Sequence, residues 1–179
     1  MLSTATAELY SLISRHPQNL ELRFAYADLM LYAREYKVAD QTLEPLRSLT
    51  NDGRIDARQA WILAVQEQDL TKATELAAAA IRANTQEPAF REVQARVFLA
   101  QKQFEAALEV LQTIPQQKLT LAGQIYYAAA LLNLDRLPEA QESFDRIHSQ
   151  SDSDALFPAD EDLLTFIRTQ LLQPATAKR

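Results

Sequence analysis

The chain has 179 residues, 47% hydrophobic and 23% charged, which is enough apolar material for a packed core and rules out disorder as its main state. It has only two glycines, and sheet folds spend glycine on hairpin turns and bulges, so all-β and Rossmann-like architectures are excluded. It has no cysteine, which removes disulfides, thiolate nucleophiles and cysteine zinc sites. The 18 basic and 24 acidic residues give a net charge of −6, and the basic ones are scattered rather than gathered into the stripe that nucleic acid demands.

In chain order, the N-terminus lacks the basic n-region and apolar run of a signal peptide, so a cytoplasmic location is the default. Ala5, Leu9 and Leu12 share one helical face and predict an opening helix that stops near Pro17. Four segments then share a form, an aromatic or leucine, two further residues and an alanine: Tyr36 to Ala39, Leu70 to Ala73, Phe104 to Ala107 and Leu137 to Ala140. The alanines are spaced 34, 34 and 33 residues apart. Four residues after each stand Leu43, Ala77, Leu111 and Phe144, and seven after stand Leu46, Ala80, Ile114 and Ile147, a single helical face each time. Ala27, Ala95 and Ala128 precede three of these alanines by a constant interval inside earlier helical runs.

Pro45 predicts a kink in its helix, Pro115 an early stop, and Pro138 a place in a first turn. Asp52-Gly53 predicts a helix stop and turn. A polar loop over 149–154 leads to a last helix opened by Pro158, with Asp160, Glu161 and Asp162 set by the macrodipole in its first turn. Leu163, Leu164, Phe166, Ile167, Leu171 and Leu172 supply its buried side, and Pro174 onward reads as a frayed tail.

A 34-residue period of paired helices resembles the tetratricopeptide repeat, and the resemblance covers nearly the whole chain. It implies an all-α, right-handed superhelical solenoid: a half-repeat helix (1–18), four repeats (20–53, 54–87, 88–120, 121–153) and a capping helix (157–173). The small first-helix residue of the family falls on Ala27, Ala95 and Ala128, and the large one three further on falls on Met30, Phe98 and Leu131. In the second repeat Trp61 takes the small position, unless the first helix slips by one residue and puts Ala60 there. The family's tryptophan near the start of the first helix, the glycine between helices and the proline at the repeat end are all missing.

The opening half-repeat admits two explanations, a domain cut from a longer protein or a helix that caps the array. In the first, the solenoid docks its own catalytic or membrane domain, and a longer exported protein would place it in the periplasm. An exposed apolar end helix also admits a homodimer.

No catalytic, metal-binding or cofactor-binding set is apparent, so an enzyme is not expected. His16 and His148 read as cations near helix C-termini. The acidic cluster of Asp152, Asp154, Asp160, Glu161 and Asp162 lacks the ligand order of a calcium loop. No run is long and apolar enough to insert in a membrane.

The resemblance places function in a concave groove lined by the first helices. The groove set it implies is Phe24, Asp28, Leu31, Tyr32, Arg58, Ile62, Val65, Arg96, Leu99, Ile125 and Leu132. Glu21, Ile55, Gln66, Ala89, Glu92, Ala100, Ala122, Ala129 and Asn133 occupy further groove positions. The family's carboxylate clamp for chaperone tails is absent, because Phe24/Asp28, Arg58/Ile62, Glu92/Arg96 and Ile125/Ala129 stand at its positions. What remains is an apolar groove with two arginines. It suits a protein partner, a peptide or amphipathic helix bearing apolar anchors and an acidic group, as an adaptor or holding chaperone in a bacterial assembly or secretion system would bind.

Overall fold

The computed structural model describes residues 2–149 and 156–172; the expected polar loop lies mostly outside them and the C-terminal tail wholly so. Among the described residues ten α-helices follow one another: α1 (Leu2–Arg15), α2 (Leu20–Tyr32), α3 (Tyr36–Leu43), α4 (Gly53–Gln66), α5 (Leu70–Ala83), α6 (Pro88–Ala100), α7 (Phe104–Gln112), α8 (Leu121–Asn133), α9 (Leu137–Ser149) and α10 (Pro158–Leu172). No strand occurs among the described residues. Each helix from α2 to α9 packs on its sequence neighbour, and α4, α6 and α8 also pack on one another in turn, which stacks the pairs into a solenoid.

The crossings are made by alanine. Ala27, Ala60, Ala95 and Ala128 on the first helices and Ala39, Ala73, Ala107 and Ala140 on the second are fully buried. A methyl side chain at each crossing lets the backbones approach closely, and Met30, Leu131 and their neighbours fill the flanking holes.

The second repeat therefore takes the shifted register, with Ala60 beside Ala73 in the core and Trp61 turned toward α2. The turns show why. Arg34, Glu67, Lys102 and Asp135 all have positive φ, between 52° and 61°. Each stands seven residues after its first-helix alanine and ends its helix in the same way: the following N–H of Glu35, Gln68, Gln103 and Arg136 donates to the carbonyl of Met30, Leu63, Phe98 and Leu131. This is the left-handed helix stop usually given to glycine, made here by side-chain-bearing residues at a cost of roughly 1 kcal/mol each. In three turns the next helix starts two residues after the left-handed one; after Glu67 it starts three later, at Leu70. The extra residue moves α4 back by one while α5 keeps the period. Asp69 absorbs it with its own positive φ of 36° and accepts a hydrogen bond from Lys72 N–H as the helix cap.

Three local expectations are corrected. Pro45 does not kink α3; the helix ends at Leu43 and runs into a 3₁₀ turn over Glu44–Ser48, which accommodates the missing N–H. Asp52-Gly53 starts a helix instead of stopping one: Asp52 is extended and accepts from Arg54 N–H, and Gly53 is the first residue of α4. Glycine is needed there for space, since a Cβ would lie 2.9 Å from the Ala80 carbonyl oxygen and 2.8 Å from the Phe90 ring. On α10, Ile167 is fully buried and Leu163, Leu164 and Leu171 pack half-buried on the same core, as expected, but Phe166 and Leu172 are exposed and Asp160 is buried. Pro115 does stop α7 early, at Gln112, and Pro138 does sit in the first turn of α9.

Candidate functional site: the concave face and its strap

The first helices α2, α4, α6 and α8 present side chains to one side of the solenoid. Half of that face is open and half is filled by the chain itself.

The open half is a cleft of about 580 Å³ between α2, α4 and α6. Its apolar walls are Leu31, Ala57, Trp61, Ala89, Phe90 and Val93, and Phe157 closes one end. Its arginines are already paired. Arg58 holds Asp28 through two hydrogen bonds of 2.6 and 2.8 Å. Arg54 holds both Asp52 and Glu21, at 2.7 and 2.8 Å, and keeps both carboxyls below their usual range. The two guanidinium groups lie over the ring of Phe24, at 4.2 and 4.7 Å from its centroid. The cleft thus offers an apolar surface bordered by fixed ion pairs, and both of the cations among its lining residues are engaged.

The filled half is covered by residues 156–162, which lead into and open α10 and which we call the strap. Phe157 is packed between the rings of Tyr32 (4.9 Å) and Trp61 (5.0 Å). Behind it runs a buried hydrogen-bond chain: Trp61 Nε1 donates to Tyr126 Oη at 3.0 Å, and Tyr126 Oη donates to Asp160 Oδ1 at 2.8 Å. Burial raises the Asp160 carboxyl above its usual value, against the lowering effect of these donors and of Arg96. Burial, reinforced by the Asp160 charge, raises the Tyr126 hydroxyl well above its own, so it stays a donor. At the rim, Arg34 pairs with Asp162 at 2.8 Å and donates to the Pro158 carbonyl at 3.2 Å, tying α2 to α10.

The structure divides the groove residues implied by the sequence. Asp28, Leu31 and Arg58 do line the cleft, and so does Ala89. Tyr32 contacts the strap and remains 37% exposed. Phe24 is buried beneath the arginines, so its ring is a support and not a contact surface. Ile55 and Ile62 are buried among Leu43, Leu46 and Phe24, in the seam between α4 and the α2/α3 pair, because the one-residue shift turns them off the concave face. Val65 packs half-buried on the same cluster. Ile125 is fully buried in the C-terminal core, with Leu99 and Leu132 half-buried against it. Glu92 is buried too, accepting from Thr120 N–H and Oγ1 at 2.8 and 2.5 Å, and thereby fixes the start of α8. Arg96 is half-buried, and its Nε has no hydrogen-bond acceptor among the described residues.

Trp61, Phe90, Tyr126, Phe157 and Asp160 were not expected in the site. Only the shifted register would have pointed to Trp61, and an aromatic residue beside Pro158 was the one hint of Phe157. Of the acidic cluster, Asp152 and Asp154 lie outside the described residues, and Asp160 is a buried hydrogen-bond acceptor, not a solvated first-turn charge. His16 stands just beyond the C-terminus of α1; the His148 side chain lies outside the described residues. No group of three or more His, Asp or Glu that could hold a metal occurs among the described residues.

A face built from first helices, with alanine crossings and a terminal helix closing one end, defines a tetratricopeptide-repeat solenoid. Solved structures bear this out at the level of the fold. The chain is similar to TTC0263, a thermophilic tetratricopeptide-repeat protein of Thermus thermophilus, with a TM-score of 0.77 and 16% identity over 96% of this chain and 91% of that one. It is also similar to YrrB, described as a tetratricopeptide-repeat protein with an unusual peptide-binding site, with a TM-score of 0.55 and 18% identity over 92% and 87% of the two chains. No family model matches the sequence, and no curated protein matches it. The protein has the tetratricopeptide-repeat fold.

Proposed function

We propose that the protein is a non-catalytic binding module that holds a partner's peptide or helix in the open half of its concave face, as an adaptor or holding chaperone in a bacterial assembly or secretion system. The observation that carries this reading is the cleft of about 580 Å³, an apolar surface framed by paired charges. Such a surface takes apolar side chains, and the framing ion pairs disfavour partners that would bury an unpaired charge against it. The peptide-binding site ascribed to YrrB and the bacterial source of TTC0263 support the same reading.

The test is capture from a lysate of the source organism by the parent chain and by an Ala89→Arg variant. Ala89 is half-buried in the cleft wall at the start of α6, so arginine fills the cleft without emptying the core. A partner lost by the variant while its helical content and melting temperature match the parent places binding in the cleft. A partner held equally by both removes the cleft from the mechanism.

A further inference from the structure

The strap is packed as a ligand would be. It is irregular where Phe157 leaves it, and that ring lies against α2 and α4, not against α8 and α9 on which α10 packs. One aromatic ring fills the slot between Tyr32 and Trp61. A carboxylate three residues on accepts from the Tyr126 hydroxyl, and one five residues on pairs with Arg34. Charge is complementary at two of the strap's carboxylates: Asp162 pairs with Arg34, and Asp160 lies near the half-buried Arg96. The strap is also continuous with the open cleft, since Phe157 forms part of the cleft wall.

We infer that residues 156–162 are a built-in ligand of the concave face, and that an outside partner for the same face carries their chemistry: an aromatic side chain followed, three and five residues on, by carboxylates in the first two turns of a helix. This rests on the binding-module reading and names its partner class. A tethered ligand is present at an effective concentration of roughly millimolar, so an outside segment succeeds by adding contacts in the adjoining cleft. The exposed Arg34–Asp162 pair contributes little to holding the strap. The ring and the buried carboxylate hold it.

The experiment uses the full chain and a fluorescent peptide spanning residues 156–172. Ile167→Asp places a charge in the fully buried contact of α10 and releases the helix with its strap. The peptide is expected to bind this variant at least about tenfold more tightly than the parent, whose site is occupied. Trp61, the only tryptophan, reports the same event: its emission moves to the red on release and returns when peptide binds. Changing the peptide's Phe157 to Ala or Asp160 to Ala should weaken it by about tenfold each. An alanine-rich helical peptide keeping only the aromatic residue and the two carboxylates should compete.

Where circular dichroism shows that Ile167→Asp fails to fold, a Phe157→Ser/Asp162→Lys variant frees the strap without touching the core under α10 or the face beneath the strap, and the same titrations apply. Equal binding to parent and released chain, or to neither, overturns the inference. Equal competition by a peptide that keeps the carboxylates but lacks the aromatic residue overturns it as well, and assigns the face to acidic segments at large. A lysate partner that is lost on Ala89→Arg while every peptide titration fails leaves the binding module standing and removes only the built-in ligand.

Discussion

The two terminal helices of the solenoid are held in opposite ways. α1 lies on α2 with Tyr10 63% exposed and Leu12 40% exposed, touching its neighbour through half-buried residues and a Tyr10–Tyr26 ring contact at 6.2 Å. α10 buries Ile167 completely, sends Phe157 across the concave face and seats Asp160 on a hydrogen-bonded tyrosine. Their lengths are similar, at 14 and 15 residues, so length does not separate them. An end helix is fixed by the side chains it buries in the solenoid, and α1 buries none among the residues whose side chains are described.

Four substitutions sharpen this contrast, from the largest expected effect to the smallest. Trp61→Ala removes the indole that supports Phe157 and donates to Tyr126; it should cost about 3–5 kcal/mol of unfolding free energy in a urea titration. A loss under about 1 kcal/mol would mean the strap is not anchored there. Tyr126→Phe keeps the ring and deletes one oxygen, leaving the Asp160 carboxylate and the Trp61 N–H buried without that partner; a loss of about 1–3 kcal/mol is expected.

Asp160→Asn tests the charge. The folded state raises the Asp160 carboxyl above its unfolded value, so protonation favours the fold: this contribution is complete below the ordinary carboxylate value and is lost as pH rises through the raised one. The stability of the parent relative to Asp160→Asn should therefore improve on going from about pH 7 to about pH 4, as read from paired thermal melts. A relative stability that falls over that interval would show that the charged form is favoured in the fold. Leu12→Ser, on α1, should change stability by less than about 0.5 kcal/mol. A loss several times larger would make α1 as firmly held as α10 and dissolve the comparison.

Most of the fold was legible because alanine at a helix crossing is a steric requirement that repeats. The crossing positions left a periodic trace, and all but one were read directly. Ala60 was not settled, because one additional residue in the turn between α4 and α5 displaces a helix without disturbing the period of its partner. That single displacement also misassigned Ile62, which moved from groove to core, and hid Trp61, which moved the other way. The strap left no periodic trace. Phe157 lies outside any helix, where periodicity carries no information, and Asp160 in a first turn has a sufficient explanation in the helix dipole. Only its burial against Tyr126 shows a second role.

Arg34 and Pro158 are 124 residues apart in sequence, yet they are joined by a hydrogen bond. An open array of repeats contacts only its neighbours, so it can fray from either end and lose its pairs one at a time. The strap adds a long-range closure to that linear chain of contacts. Opening α2 disturbs the seat of Phe157, and losing α10 uncovers Trp61 of α4. Unfolding that would otherwise proceed by steps should then be coupled between the first pair and the last.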